Sequence, residues 1–205
     1  MAEMLEEALR RNPNQQLERP FRLGDTPVST IAEGVTAYRE QEWGAVFNIA
    51  VENYQSGNLD QAIKKLNIAK ILYPQKAENY STLSAIYTQQ GDLSKAENIA
   101  KEGLAQSQGN ALLFQVLADV AIKKENLDNA IEYLQSAIKT TENPGPIIKQ
   151  MVFIYIDQGK NTEAIELTEE LLNKYPNDAD LYYNVGVLYQ RLAVEAFDPA
   201  RELFL

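Results

Sequence analysis

From Trp43 onward, the hydrophobic and polar positions of this sequence recur with a period of thirty-four residues. Rows of that length begin, without any gap, at Trp43, Ala77, Ala111, Gly145 and Ala179. The fourth and seventh positions of each row are large and apolar or aromatic, and the eighth is small in four rows out of five. Such a period predicts a stack of similar supersecondary units rather than one irregular core.

The spacing inside a row predicts two helices joined by a turn. Positions four, seven and eleven share one helix face, and positions twenty, twenty-four and twenty-seven (Ala62, Leu66 and Ala69 in the first row) share another. Position fifteen is glycine in three rows, which suits the end of a helix. Position thirty-two is proline in two rows and stops the second helix. Position twenty is alanine in all four complete rows: Ala62, Ala96, Ala130 and Ala164.

The third row departs from this pattern at its turn. Glu125 occupies position fifteen, where the other complete rows have glycine. A left-handed glutamate costs on the order of 1 kcal/mol. We therefore expect Asn126 to share this turn with Glu125.

These columns resemble the tetratricopeptide repeat. Its W-x-x-L-G-x-x-Y scheme corresponds to Tyr182, Val185, Gly186 and Tyr189, and its A-x-x-x-F and P positions correspond to Ala62, Leu66 and Pro74. The resemblance implies an all-α fold, a right-handed α-solenoid of stacked helix-turn-helix hairpins. The repeats are expected at 43–76, 77–110, 111–144 and 145–178, with an incomplete one at 179–205.

Both ends of the chain fit the repeat less well. Residues 1–42 are expected to form N-terminal helices and a loop, as a degenerate or capping hairpin, with 15–28 as the loop. Plain packing as a cap is expected of this loop, and the alternative is that Phe21 and Leu23 cover an apolar surface. Thr30 and Glu33 predict a capping box for the following helix. At the other end, the pattern predicts a turn over 193–198 and a second helix starting at Pro199.

Composition narrows the range of functions. The formal net charge of −10 disfavours nucleic acid as a partner, and no apolar run is long enough for a membrane span. The sequence contains neither cysteine nor histidine, and it has no phosphate-binding loop or nucleophile elbow. We therefore expect no enzyme, no cofactor and no metal site. A soluble cytoplasmic protein is expected, with the periplasm or secretion as the alternative if a signal peptide was removed.

The resemblance also implies where a partner binds, because the first helix of each repeat lines a concave groove in this family. Acidic and basic residues are nearly equal in number at the helix positions that the resemblance places in this groove. The groove residues expected to contact a partner are Phe47, Val51, Tyr54, Ser81, Thr88, Gln115, Asp119, Ile122, Lys123, Lys149, Phe153, Ile156, Tyr183 and Val187.

Two interpretations of these residues stay open. Their large apolar side chains either contact a partner or pack only against adjacent helices. Some family members hold a chaperone's C-terminal carboxylate with a clamp of lysine, asparagine and arginine, but Phe47 occupies the first lysine position here and Val51 the asparagine position. That partner class is therefore disfavoured.

The sequence predicts a non-catalytic protein-interaction module that binds a peptide or partner segment in the groove. The alternative is a self-assembling scaffold, a homo-oligomer formed through the open ends of the solenoid.

Overall fold

The computed structural model describes residues 2–107, 109–174, 176–177 and 179–202. Within these ranges the chain forms ten helices and one two-stranded antiparallel sheet. The elements are α1 (Ala2–Arg11), β1 (Gln16–Leu23), β2 (Thr26–Thr30), α2 (Ile31–Gln55), α3 (Leu59–Leu72), α4 (Ala77–Gln89), α5 (Leu93–Ser107), α6 (Ala111–Lys123), α7 (Leu127–Ile138), α8 (Gly145–Asp157), α9 (Asn161–Lys174) and α10 (Ala179–Glu202).

The helices follow the period of the sequence. The first helices of rows two to five begin at Ala77, Ala111, Gly145 and Ala179, which are the first positions of the predicted rows. The second helices of the four complete rows begin at Leu59, Leu93, Leu127 and Asn161, again thirty-four residues apart. The predicted hairpins of stacked helices are confirmed.

The turn inside each complete row has a left-handed residue at position fifteen. The φ angles there are 77° at Gly57, 81° at Gly91, 58° at Glu125 and 70° at Gly159. In the third row, the Asn126 side chain accepts a hydrogen bond of 3.2 Å from the Asn129 backbone N–H and caps α7. Glu125 itself therefore adopts the left-handed conformation, and Asn126, at φ −97°, contributes to the turn as the N-cap of α7.

Alanine at position twenty lies where the two helices of a row meet. All four of these alanines, Ala62, Ala96, Ala130 and Ala164, have no exposed surface. A larger side chain at this point would separate the two helices, because protein interiors are close-packed. The buried alanine thus explains why this column is the most constant one in the sequence.

The chain divides into two compact units, Met1–Gln108 and Gly109–Leu205. In the first unit, α1 and the β-hairpin pack on α2, and α2 to α5 form the first two rows. The second unit contains α6 to α10, with a core that includes Leu134, Ile147 and Met151.

The expectation of a loop over residues 15–28 was wrong, because these residues form most of a β-hairpin. Its two-residue turn places Gly24 at φ 59°, between the paired residues Leu23 and Thr26. Residues that flank such a turn are hydrogen-bonded to each other, so the next pair, Arg22 and Pro27, is not. Pro27 therefore costs the ladder no hydrogen bond, although prolines usually argue against a strand.

The hairpin lies directly against α2. Val28 has no exposed surface, and a Cβ added to Gly34 of α2 would lie only 3.2 Å from Val28 Cγ1. Glycine inside α2 thus allows the close approach of β2. The predicted capping box is confirmed: Thr30 Oγ1 accepts from the Glu33 N–H, and the Glu33 carboxylate accepts from the Thr30 N–H.

The predicted turn over 193–198 was also wrong, because α10 runs through it as one helix to Glu202. Ala193 stands at position fifteen of the fifth row, where every complete row has a left-handed residue. Alanine favours the helix, so the chain does not turn there. Residues 203–205, the last part of the second helix predicted from Pro199, lie outside the described residues.

Candidate functional site

The predicted groove residues lie on the first helices of the rows, and each unit is described by itself. We call the five in the first unit, on α2 and α4, the first surface: Phe47, Val51, Tyr54, Ser81 and Thr88. We call the nine in the second unit, on α6, α8 and α10, the second surface: Gln115, Asp119, Ile122, Lys123, Lys149, Phe153, Ile156, Tyr183 and Val187.

On the first surface, the Phe47 ring is held by its neighbours. It stacks on Trp43 with 5.0 Å between ring centroids and 20° between ring planes. The Trp43 indole Nε1–H donates to Asn79 Oδ1 over 2.8 Å, and the Asn79 amide donates to the Tyr73 carbonyl over 3.1 Å. Asn79 is completely buried, so this bond ties α2 to α4.

A lysine covers the same aromatic group. The Lys76 ammonium lies 4.7 Å from the Trp43 ring centroid and 5.0 Å from that of Tyr73, and 2.7 Å from the Glu40 carboxylate. Burial is the largest single effect and acts to lower the pKa of Lys76, but the hydrogen bond to Glu40 and the charges of Glu40, Tyr73 and Glu78 together raise it. Lys76 therefore stays protonated, and its charge is matched locally.

The other residues of the first surface are not fully exposed to solvent. Val51, Tyr54, Ser81 and Thr88 are all half-buried. The Ser81 hydroxyl donates to the Glu78 carbonyl of its own helix over 3.2 Å. The first surface thus resembles internal packing more than an open binding site.

The second surface has exposed aromatic rings. Phe153 on α8 is 52% exposed and Tyr183 on α10 is 73% exposed. Leu112, one turn before Gln115 on α6, is 40% exposed as well. Large apolar side chains exposed to this extent favour contact with a partner over internal packing.

Half-buried aliphatic residues lie beside these rings. Ile122 packs against the core formed by α6, α7 and α8, and Ile156 packs against the core that contains Val152 and Leu188. Ile156 lies three residues after Phe153, on the same face of α8. The exposed rings are therefore anchored on packed helices rather than on loops.

The polar residues of the second surface are partly paired. Asp119 on α6 accepts a hydrogen bond of 2.8 Å from the Gln150 amide on α8. Lys123 is exposed, and Lys149 and Gln115 are half-buried. Asp119, together with Asp157 at the end of α8 beside this surface, balances Lys123 and Lys149 in formal charge, so the region is nearly neutral.

Sequence reasoning missed two polar residues that organise these surfaces. Asn79 and Gln150 occupy the third and sixth positions of their rows, which the repeat pattern leaves unassigned. Neither carried a signal in the sequence, because a single asparagine or glutamine in an amphipathic helix is ordinary.

Among the residues that the structure describes, no helix is both long enough and apolar enough to span a membrane.

Stacked hairpins whose second helices begin at a constant interval define a helical repeat protein. A family model described as tetratricopeptide repeat matches residues 121–185. Residues 121–185 are thus identified as tetratricopeptide repeat, within an array of hairpins that have the same period.

Comparisons with individual proteins agree with this class. The TPR repeat-containing protein YpiA of Bacillus subtilis is 24% identical over 159 residues, which cover 78% of this chain and 37% of YpiA. The structure of Pseudomonas aeruginosa pilF is similar with a TM-score of 0.63 and 19% identity, over 80% of this chain and 74% of that one. The structure of YrrB is similar with a TM-score of 0.54 and 25% identity, over 79% of this chain and 85% of that one.

Proposed function

We propose that this protein is a non-catalytic interaction module that binds a peptide or an extended partner segment on the second surface. The observation that carries the proposal is the exposure of Phe153 and Tyr183 at groove positions. The similar protein YrrB is described as a TPR protein with an unusual peptide-binding site, which supports the same class of ligand.

The two rings would serve as anchors for apolar side chains of the ligand. Aromatic residues with packed neighbours often dominate the energy of an interface. Both lie on helices that are held by buried cores, so little conformational entropy is lost on the side of this protein. A ligand segment with two apolar residues and an otherwise uncharged surface fits these features best.

The polar groups would set the register of the ligand. The half-buried Gln115 amide offers both a donor and an acceptor to a peptide backbone. Asp119 is held in place by Gln150, so it presents a fixed acceptor. A non-catalytic role is supported by the absence of cysteine and histidine from the sequence, which removes the commonest nucleophile–base pairs.

The test is selection from a displayed peptide library followed by calorimetric titration of the selected peptides. We expect the double variant Phe153→Ala, Tyr183→Ala to bind at least about tenfold more weakly than the wild type. Tyr182→Ala is the matched control, because Tyr182 is 55% exposed but lies about 100° around α10 from Tyr183. It should bind like the wild type.

A Tyr54→Ala variant in the same titration asks whether the first surface takes part. We expect little change, because Tyr54 is half-buried. Unchanged affinity of the folded Phe153→Ala, Tyr183→Ala protein would show that the second surface is not the binding site.

A further inference from the structure

The Lys76 ammonium contacts two aromatic rings and one carboxylate. Its Nζ lies 4.7 Å from the Trp43 ring centroid, 5.0 Å from the Tyr73 ring centroid and 2.7 Å from a Glu40 carboxylate oxygen. Aromatic faces around a cation are the means by which proteins recognise ammonium ligands, quaternary ammonium groups above all. We call the three residues around this cation the ammonium site: Glu40, Trp43 and Tyr73.

Lys70 provides a comparison within the same unit. Its ammonium lies 4.9 Å from the Tyr80 ring centroid and 2.7 Å from the Glu102 carboxylate. It thus contacts one ring and one carboxylate, which is an ordinary arrangement for a surface lysine. The second ring, that of Tyr73, distinguishes the surroundings of Lys76 from this arrangement.

The two rings are held in place by contacts that do not involve the Lys76 side chain. The completely buried Asn79 accepts a hydrogen bond of 2.8 Å from the Trp43 indole N–H and donates one of 3.1 Å to the Tyr73 carbonyl. Trp43 also stacks on Phe47, with 5.0 Å between the ring centroids. The site is therefore preorganised, and a ligand that enters it has little ordering to bring about.

We propose that the ammonium site binds a quaternary ammonium group, and that Lys76 is an internal occupant which this ligand displaces. The site would be a second binding site of the protein, apart from the peptide site on the second surface. It lies in the first unit, whereas the second surface lies in the second unit. The two sites can therefore be tested separately.

A quaternary ammonium can compete with Lys76 because the two cations differ in hydration. The lysine ammonium binds water strongly through three N–H donors, whereas a quaternary ammonium has none. Desolvation on entry to an aromatic site therefore costs the quaternary ammonium less, and the released Lys76 regains its water. The surroundings allow this exchange, since the Lys76 side chain is 25% exposed and that of Glu40 is 53% exposed.

Lys76 also limits the affinity of the site. A group on the same chain competes at an effective concentration in the millimolar range. Removal of its ammonium should therefore strengthen the binding of an external ligand, while the rings and the carboxylate stay in place. Removal of Lys70, whose ammonium lies over Tyr80, should have no such effect.

Titration of the purified full chain with choline tests the proposal. Trp43 is the single tryptophan of the sequence, so tryptophan fluorescence reports on this site alone. We expect the fluorescence of Lys76→Ala to change saturably, with a midpoint at least about tenfold lower in choline concentration than that of the wild type. Lys70→Ala is the matched control and should respond like the wild type. The uncharged isostere of choline, in which carbon replaces the nitrogen, should give no saturable change.

A short peptide with one trimethyl-lysine, titrated in the same way, distinguishes two sources of the ligand. A midpoint below that of choline supports a protein-borne ligand, and an equal midpoint supports a free small molecule.

Circular dichroism shows whether Lys76→Ala keeps its helicity. If the variant does not fold, the wild-type titration decides, because the wild type should respond saturably to choline and not to the isostere. The absence of a saturable response in a folded Lys76→Ala protein, or equal responses to choline and its isostere, would overturn the proposal.

Discussion

At the scale of single residues, Glu125 is the least favourable feature of the four turns. It adopts φ 58° where the other complete rows have glycine. Left-handed backbone costs a side-chain-bearing residue about 1–2 kcal/mol, whereas glycine adopts it freely but gains entropy in the unfolded chain. The two effects oppose each other, and the strain is the larger.

We therefore predict that Glu125→Gly stabilises the protein by about 0.5 kcal/mol, measured by urea denaturation. The same substitution at Glu132, an ordinary residue inside α7, is the control and should destabilise by about 1 kcal/mol. Loss of stability at both positions would mean that the turn of the third row carries no strain.

At the scale of elements, the start of α2 depends on an ionised carboxylate. Glu33 accepts hydrogen bonds from the backbone N–H groups of Ser29 over 2.6 Å and Thr30 over 3.0 Å. These bonds lower the pKa of Glu33 below its ordinary value of 4.5. A carboxyl group whose pKa is lowered by folding stabilises the native state above its unfolded pKa, and that contribution is lost as the pH falls through the folded pKa.

We predict that Glu33→Gln lowers the melting temperature at neutral pH, and that the difference from the wild type shrinks once the pH falls below about 4.5. Thr30→Val is the control, because it removes the hydroxyl acceptor of the same box and its loss of stability should persist in acid. Melting curves recorded at pH 7 and at lower pH give the melting temperatures of both variants. A Glu33→Gln difference from the wild type that does not change with pH would contradict the prediction.

The elements also show how far the sequence determines the fold. The helix starts at Ala77, Ala111, Gly145 and Ala179 were predictable, because the apolar columns of the first helix recur every thirty-four residues. The β-hairpin was not, because Pro20 and Pro27 argue against strands unless the register is known. The continuation of α10 was not either: Pro199 suggested the start of a second helix after a turn, whereas Ala193 at the turn position allows the first helix to continue.

The candidate site was predictable to a similar degree. The columns identified which residues lie on the first helices, including Phe153 and Tyr183. They did not distinguish Phe47, whose ring is stacked on Trp43, from Phe153, whose ring is half exposed. That difference depends on the completely buried Asn79 and on other contacts between helices, which no column of the repeat encodes.

At the scale of the whole molecule, charge is distributed unevenly. The chain carries a net charge of −10, yet the acids Asp119 and Asp157 on the helices of the second surface are matched by Lys123 and Lys149. The excess acid therefore lies mostly away from the proposed site. Distant surface charges are screened within about 8–10 Å at ordinary salt concentrations, so they contribute little to a short-range contact.

We therefore predict that the affinity of a peptide selected on the second surface changes by less than about threefold between 50 and 500 mM salt, because apolar contacts dominate its binding. Calorimetric titration at several salt concentrations measures this change in affinity. The double variant Lys123→Glu, Lys149→Glu is the comparison. That variant makes the surface strongly acidic, so its affinity for an acidic peptide should fall and become dependent on salt. A steep salt dependence of the wild type would instead indicate a charged ligand, and the aromatic anchors would then not be the main source of affinity.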